Sequence, residues 1–271
     1  MHRAPPQRTA IQSLISVLPS RVKSSALANY FVKYGSAVLS GAGAKRLLYD
    51  DEKTIVSRTL IVLGKMADEA EIQANQEECR SLFTPEQRLR YGLAQLILYP
   101  LIRILKPAII VETGCSWGGS AVFLLAALQK HAHGCLVSID LPASETVQMK
   151  EVRVRNSDIG ALIPPTLRSR WNLIVGDARS CLPKLLTETD ADIFIHDSLH
   201  TTTHQAFEYE TARSLMRNNT VIASDDIRWN DSFPNFLKLH NLRGYAPLTN
   251  RNFGITVNQF DPYEIECGLF R

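Results

Sequence analysis

Residues 1–49 contain no aspartate or glutamate. They carry seven basic residues (Arg3, Arg8, Arg21, Lys23, Lys33, Lys45 and Arg46), so the rest of the chain is net acidic although the whole carries +3. An acid-free basic start of this kind suits a helical arm that packs on the main domain or on a second subunit. A targeting peptide is the other reading. No apolar run reaches the ~20 residues that a helical membrane span needs, and no secretory apolar core is visible near the start. The five cysteines (Cys79, Cys115, Cys135, Cys181 and Cys267) are scattered and form no C-x-x-C pair. That argues against a disulfide framework or a zinc knuckle and fits a reducing, cytoplasmic setting. Internal repeats and low-complexity tracts are missing as well. What remains is ordinary globular composition, 271 residues with 45% hydrophobic and 21% charged, enough for a sizeable core.

From residue 108 onward, apolar runs alternate with helical stretches. Strands are expected at 108–112, 135–140, 171–175, 191–196 and 220–224, with weaker ones near 245–248 and 254–257. Helices are expected at 119–131, 145–156, 180–186, 203–216 and 231–240. Upstream, 9–49 reads as helical and 51–80 contains a further helix. Thr84 and Pro85 look like the start of another. Pro100 is expected to kink or end it, because proline removes a helical hydrogen bond. Alternating strands and helices imply a doubly wound α/β fold with a mostly parallel sheet, whose ligands bind at the carboxyl ends of strands. The division expected is an N-terminal basic helical extension over 1–83 and the α/β domain over 84–271.

The strand at 108–112 runs into Glu112-Thr113-Gly114-Cys115-Ser116-Trp117-Gly118-Gly119-Ser120 and then into a helix. A glycine turn at this place brings bare backbone N–H groups and a helix N-terminus against a ligand. Its spacing is not G-x-G-x-x-G, which disfavours a dinucleotide. Asp140 closes the next strand, where a carboxylate suits the two hydroxyls of a ribose. Asp177 and Ala178 follow the third strand and suit an adenine amino group and ring nitrogen. Together these residues describe a nucleoside pocket. Cys115 reads as a small residue filling a tight turn.

At this point the chain resembles the class I S-adenosylmethionine-dependent methyltransferases over roughly 108–257. Glu112 to Ser120 looks like their first motif, with Gly114, Ser116, Gly118 and Ser120 as its cofactor-binding positions. Asp140 looks like their ribose acid, and Gly176-Asp177-Ala178 like their adenine motif. More narrowly, residues 194–201 with Ala223-Ser224-Asp225-Asp226-Ile227 resemble the macrocin-O-methyltransferase-like branch. The resemblance implies a seven-stranded sheet with an antiparallel last strand, and methyl transfer to an oxygen.

Asp197, Asp225 and Asp226 close two strands expected to be neighbours. Three converging carboxylates repel one another unless a cation neutralises them, and a hard divalent ion such as Mg²⁺ accepts oxygen ligands. The resemblance implies the same three positions as metal ligands. The bland alternative has Asp225 capping the next helix. Of His196, His200 and His204, the first reads as packed or bonded to a partner and the last as structural. His200, in the loop beyond Asp197, is the general-base candidate, with Asp197 beside it. The expected acceptor is a hydroxyl on a small molecule or a glycosyl group. The alternatives are an NAD-linked oxidoreductase and a non-catalytic nucleoside-binding module. Nucleic-acid binding is disfavoured, since the basic arm lacks interleaved aromatics. Homo-oligomer formation through the N-terminal helices stays open.

Overall fold

The structure is a computed structural model and describes residues 46–84, 94–141, 155–248 and 251–259. Eight strands form one sheet: β1 (Leu47–Asp50), β2 (Ile109–Thr113), β3 (Cys135–Asp140), β4 (Trp171–Val175), β5 (Ile193–His196), β6 (Val221–Ser224), β7 (Gly244–Pro247) and β8 (Gly254–Val257). Their spatial order is β1-β7-β8-β6-β5-β2-β3-β4. β6, β5, β2, β3 and β4 run parallel, β8 is antiparallel to both its neighbours, and β1 is parallel to β7. The strand order therefore reverses between β2 and β5, the place where open α/β sheets bind ligands.

Seven α-helices accompany the strands among the described residues: α1 (Glu52–Val62), α2 (Glu69–Ser81), α3 (Gln95–Leu105), α4 (Gly119–His131), α5 (Ala178–Glu188), α6 (Thr202–Leu215) and α7 (Ser232–Leu239). Strand side chains alternate between faces, and the two cores show it. Ile110, Leu136, Ile193 and Ile195 pack with residues of α1–α4, such as Ile55, Ile72, Tyr99 and Leu124. Val111, Val137, Phe194 and Ile222 face the opposite way, toward Leu182, Tyr209 and Phe233 of α5–α7. The doubly wound α/β reading holds.

Two expectations need correction. The sheet has eight strands rather than seven, because residues 47–50 form a strand instead of continuing a helix. Leu47 and Leu48 pair with Gly244 and Tyr245, so this strand depends on a partner far along the chain. The compact unit that contains the sheet begins at Arg46. Finally, Pro100 neither ends nor interrupts α3. A proline leaves the carbonyl four residues earlier without its donor, and here the Gln76 side chain supplies one, with Nε2 2.9 Å from the Leu96 carbonyl oxygen. The basic arm before residue 46 and most of the helix expected at 145–156 lie outside the described residues. Among those described, no helix is long and apolar enough to cross a membrane.

Candidate active site

The glycine loop after β2 is shaped by close backbone approach. Gly114 has φ +84°, and a Cβ there would stand 1.9 Å from the Asp197 carbonyl oxygen. Only glycine lets the loops after β2 and β5 touch in this way. The Gly114 N–H donates to the Ile139 carbonyl at 2.8 Å, and the Asp197 N–H to that of Thr113 at 2.9 Å. The ends of β3, β2 and β5 are thereby tied together. Gly118, at φ +89°, precedes α4, and a Cβ there would press on Ile163 at 2.8 Å. Gly160 and Leu162 donate their N–H groups to the carbonyls of Ser116 and Trp117, both at 2.9 Å. Residues 160–163 thus form a strap over the loop.

Two acids brace the loop. Asp140, the last residue of β3, accepts a hydrogen bond from the Ser116 N–H at 2.5 Å. Glu112 lies beneath the loop, with none of its surface exposed. Its carboxyl accepts from Ser138 Oγ at 2.6 Å and Ser120 Oγ at 3.0 Å. Burial pushes its pKa up to about 7, against the lowering effect of those hydroxyls. Ser120 is therefore bonded to Glu112. Asp177 caps α5, its carboxylate accepting from the Arg179 N–H at 2.8 Å, and Ala178 is the buried first residue of that helix.

Beside the loop is a cavity of about 550 Å³. Ser116, Trp117 and Phe123 line one side, and Asp197, Asp225 and Phe253 another. Glu112, Asp140 and Asp177 are not among its lining residues. The single nucleoside pocket read from the three acids thus divides. Asp140 and Asp177 stand toward β3 and β4, whereas the cavity opens toward β5 and β6. Cys115 also lines it, and burial raises its thiol pKa far above the usual range. That matches a filler of the turn and not a nucleophile.

Asp197, Asp225 and Asp226 gather at the ends of β5 and β6. Although 37% of the Asp197 side chain faces water, the surrounding protein raises its pKa well above normal, and the charges of Asp225, Glu112, Asp226 and Asp140 add to the rise. Burial raises Asp225 also. Asp226 is pushed up to about 6 by burial and by Asp225, while Asn252 Nδ2 donates to its Oδ1 at 3.0 Å. Asp225 caps no helix, since the N-cap of α7 is Asp231. The donors are the hard oxygens that Mg²⁺ takes. Among the described residues, however, no three acidic, histidine or cysteine side chains stand together in ligand geometry.

His200 Nε2 is 3.7 Å from Asp197 Oδ1 and 3.9 Å from Asp226 Oδ2. It is buried and makes no hydrogen bond. Burial pushes its pKa down to about 4, and His196 adds to the effect. Its ring packs edge-on to His196 at 5.3 Å and tilts against Trp229 at 5.4 Å.

One carboxylate was not singled out in the sequence. Glu208 of α6 is wholly buried and is contacted by four side chains. Thr113 Oγ1 and His196 Nδ1 meet its Oε2, both at 2.6 Å, and Ser198 Oγ and His204 Nε2 meet its Oε1, both at 2.8 Å. Burial alone would raise its pKa, but the bonds from His196 and His204 lower it well below normal. Glu208 joins β2, β5 and α6 and fixes the base of the loop that carries Asp197 and His200. His196 is, as expected, partner-bonded, and His204, expected to be structural, bonds the same carboxylate. The one signal in the sequence was the His204-x-x-x-Glu208 spacing, which stacks the pair on one helix face.

Residues 111–227 match the family model described as a methyltransferase domain. The match runs from β2 through the glycine loop to the acids after β6. Among solved structures, the domain's chain is similar to a Podospora anserina methyltransferase bound to S-adenosylhomocysteine (16% identity, 69% of this chain and 87% of the other, TM-score 0.46). It is also similar to an O-methyltransferase from Bacillus cereus in complex with the same product (19%, 76% and 96%, 0.45). A third is the O-methyltransferase TomG from Streptomyces achromogenes, in complex with S-adenosylmethionine (14%, 89% and 99%, 0.44). Comparison with curated protein sequences found no match.

Proposed function

We propose that this chain is an S-adenosylmethionine-dependent methyltransferase that transfers the methyl group to a hydroxyl oxygen of a small-molecule or glycosyl acceptor, within the macrocin-O-methyltransferase-like branch. The observation that carries the reading is a cavity beside the glycine loop that is lined by Asp197 and Asp225, with His200 Nε2 3.7 Å from Asp197 Oδ1. In this reading the loop N–H groups around Gly114, Ser116 and Gly118 hold the donor. Asp140 takes the ribose, and Asp177 with Ala178 takes the adenine. Glu112 and Ser120 act by holding the loop in shape.

S-adenosylmethionine supplies a methyl carbon on a sulfonium. The acceptor oxygen bonds to that carbon as the C–S bond breaks and its electron pair stays on sulfur. His200 is neutral at pH 7 because its pKa sits near 4, so its ring has a lone pair for the hydroxyl proton. Asp197 and Asp226, both within 4 Å of Nε2, stabilise the imidazolium that results. Holding the oxygen in line with the methyl group supplies the remainder by orientation.

Mg²⁺ assistance belongs to the same proposal. The crowding of Asp197, Asp225 and Asp226, seen in their raised pKa values, supports it. These residues would hold the ion, which would acidify a bound hydroxyl. The test is mass spectrometry after incubating the enzyme with S-adenosylmethionine and a panel of hydroxylated compounds. A product heavier by one methylene, lost with EDTA and restored by Mg²⁺, is expected. Methylation indifferent to chelator removes the metal, and methylation only at nitrogen or carbon removes the hydroxyl acceptor.

A further inference from the structure

The backbone pairing of β5 with β6 runs as far as the Asp225 N–H, which donates to the His196 carbonyl at 2.9 Å. Past that point the loops that carry His200 and Asp226 are held together by side chains. Asp226 takes φ +50°, a left-handed conformation that aspartate adopts more readily than most residues. The Trp229 N–H closes the turn on the Asp226 carbonyl at 3.0 Å. The turn brings the next residues back onto the β5 loop. Trp229 lays its ring against that of His200, with centroids 5.4 Å apart. Asn230 Nδ2 donates to the His200 carbonyl at 3.1 Å, and Ser232 Oγ donates to that of Thr202 at 3.0 Å.

Asn230 is the centre of this junction. A carboxamide offers two N–H donors and an acceptor oxygen, and all of them are used. One donor goes to His200 and the other to Gln205 Oε1 of α6, at 2.6 Å. The oxygen accepts from the Ser232 N–H at 2.8 Å, at the start of α7. One side chain therefore ties the β5 loop, α6 and α7 to the loop after β6. The tie bears on the site because His200 Nε2 stands between one acid from each loop, 3.7 Å from Asp197 Oδ1 and 3.9 Å from Asp226 Oδ2. Nε2 has no hydrogen-bond partner among the described residues, so no bond from that atom fixes the two separations. They follow from how one loop is set against the other, and Asn230 sets it through the backbone of residue 200.

We propose that Asn230 is a positioning residue for His200, holding the imidazole between Asp197 and Asp226. This rests on the reading of His200 as the base. Asn230→Asp isolates the tie. It keeps an acceptor for the Ser232 N–H, and Gln205 can turn its Nε2, which has no partner, toward the new carboxylate. The donor to His200 is what disappears. Gln205→Met removes the other arm and leaves that donor in place. The full chain and both variants are compared in two ways. One is the nuclear Overhauser contact between the His200 and Trp229 rings, in protein labelled at histidine and tryptophan. The other is the kinetics of methylation of the best acceptor in a panel of hydroxylated compounds. Asn230→Asp is expected to lose the ring contact and to lower kcat about tenfold or more, with acceptor KM and S-adenosylhomocysteine affinity unchanged. Gln205→Met is expected to keep both the contact and kcat. If Asn230→Asp does not fold, Asn230→Ser, which offers the Ser232 N–H an acceptor and is too short to reach His200, is read in the same way. A wild-type ring contact in the position 230 variant overturns the proposal. So does a lost contact with kcat unchanged in an enzyme that His200→Ala inactivates. Loss of both in Gln205→Met overturns it too, since the network would then serve the fold alone. If His200→Ala leaves methylation untouched while Asn230→Asp still displaces the ring, the base reading falls and the positioning stands.

Discussion

Glu112 and Glu208 are two carboxylates with no exposed surface, yet they titrate in opposite directions. Glu112, under the glycine loop, is served by hydroxyls and is pushed up to about 7. Glu208, between β5 and α6, is served by two imidazoles as well as two hydroxyls and stays ionised far below the usual range. Burial alone does not decide the charge of a buried acid. The number and polarity of its donors do. The glycine loop is thus braced by an acid poised between two charge states, and the loop after β5 is anchored by an ionised one.

Glu208→Ala should have the largest effect. It strands His196, His204, Ser198 and Thr113 without their acceptor, and the expected loss is about 3–5 kcal/mol of unfolding free energy, the usual cost of breaking a buried charged pair. Urea denaturation at pH 7 checks this, and a loss below about 1 kcal/mol would break the contrast.

Glu112→Gln probes the other side through pH. A carboxyl whose folded pKa is near 7 and whose ordinary value is 4.5 binds more protons folded than unfolded between those values. Its contribution to stability is full below about 4.5 and is lost as pH rises through 7. Relative to wild type, the glutamine variant should therefore gain on the order of 2 kcal/mol between pH 5 and pH 8. A pH-independent difference would mean that Glu112 titrates normally.

Two smaller substitutions refine the comparison. Ser138→Ala removes a donor to Glu112 and leaves Trp171 Nε1, which donates to Ser138 Oγ at 2.8 Å, without its acceptor. A loss of about 1–2 kcal/mol is expected, with the Glu112 titration, followed by carboxyl NMR, moving higher still. Thr113→Val deletes one of the four partners of Glu208. It should cost about 1 kcal/mol by urea denaturation while Glu208 stays ionised, because the imidazoles remain.

Much of the fold was legible because its signals are local. β3 and β4 match their expected bounds end to end, since apolar runs closed by Asp140 and by Gly176 are short-range signals. β1 was invisible because its reason to be a strand is β7, far along the chain. Pro100 was misjudged for the same kind of reason, since the group that rescues its helix is Gln76 from another element. In the site, the sequence brought Asp197, His200, Asp225 and Asp226 to neighbouring strand ends. Linear order does not show which side of β2 a strand end occupies, so it merged Asp140 and Asp177 with the cavity they do not line. Glu208 was missed because its importance lies in donors drawn from β2, β5, the loop after β5 and α6.

The account turns on where the donor sits. Calorimetry of S-adenosylhomocysteine binding to the wild-type chain and to Asp140→Asn tests that most directly. A single saturable step, weakened about tenfold or more by the substitution, is the result predicted. No binding to the wild type, or equal affinity in the two proteins, would contradict it.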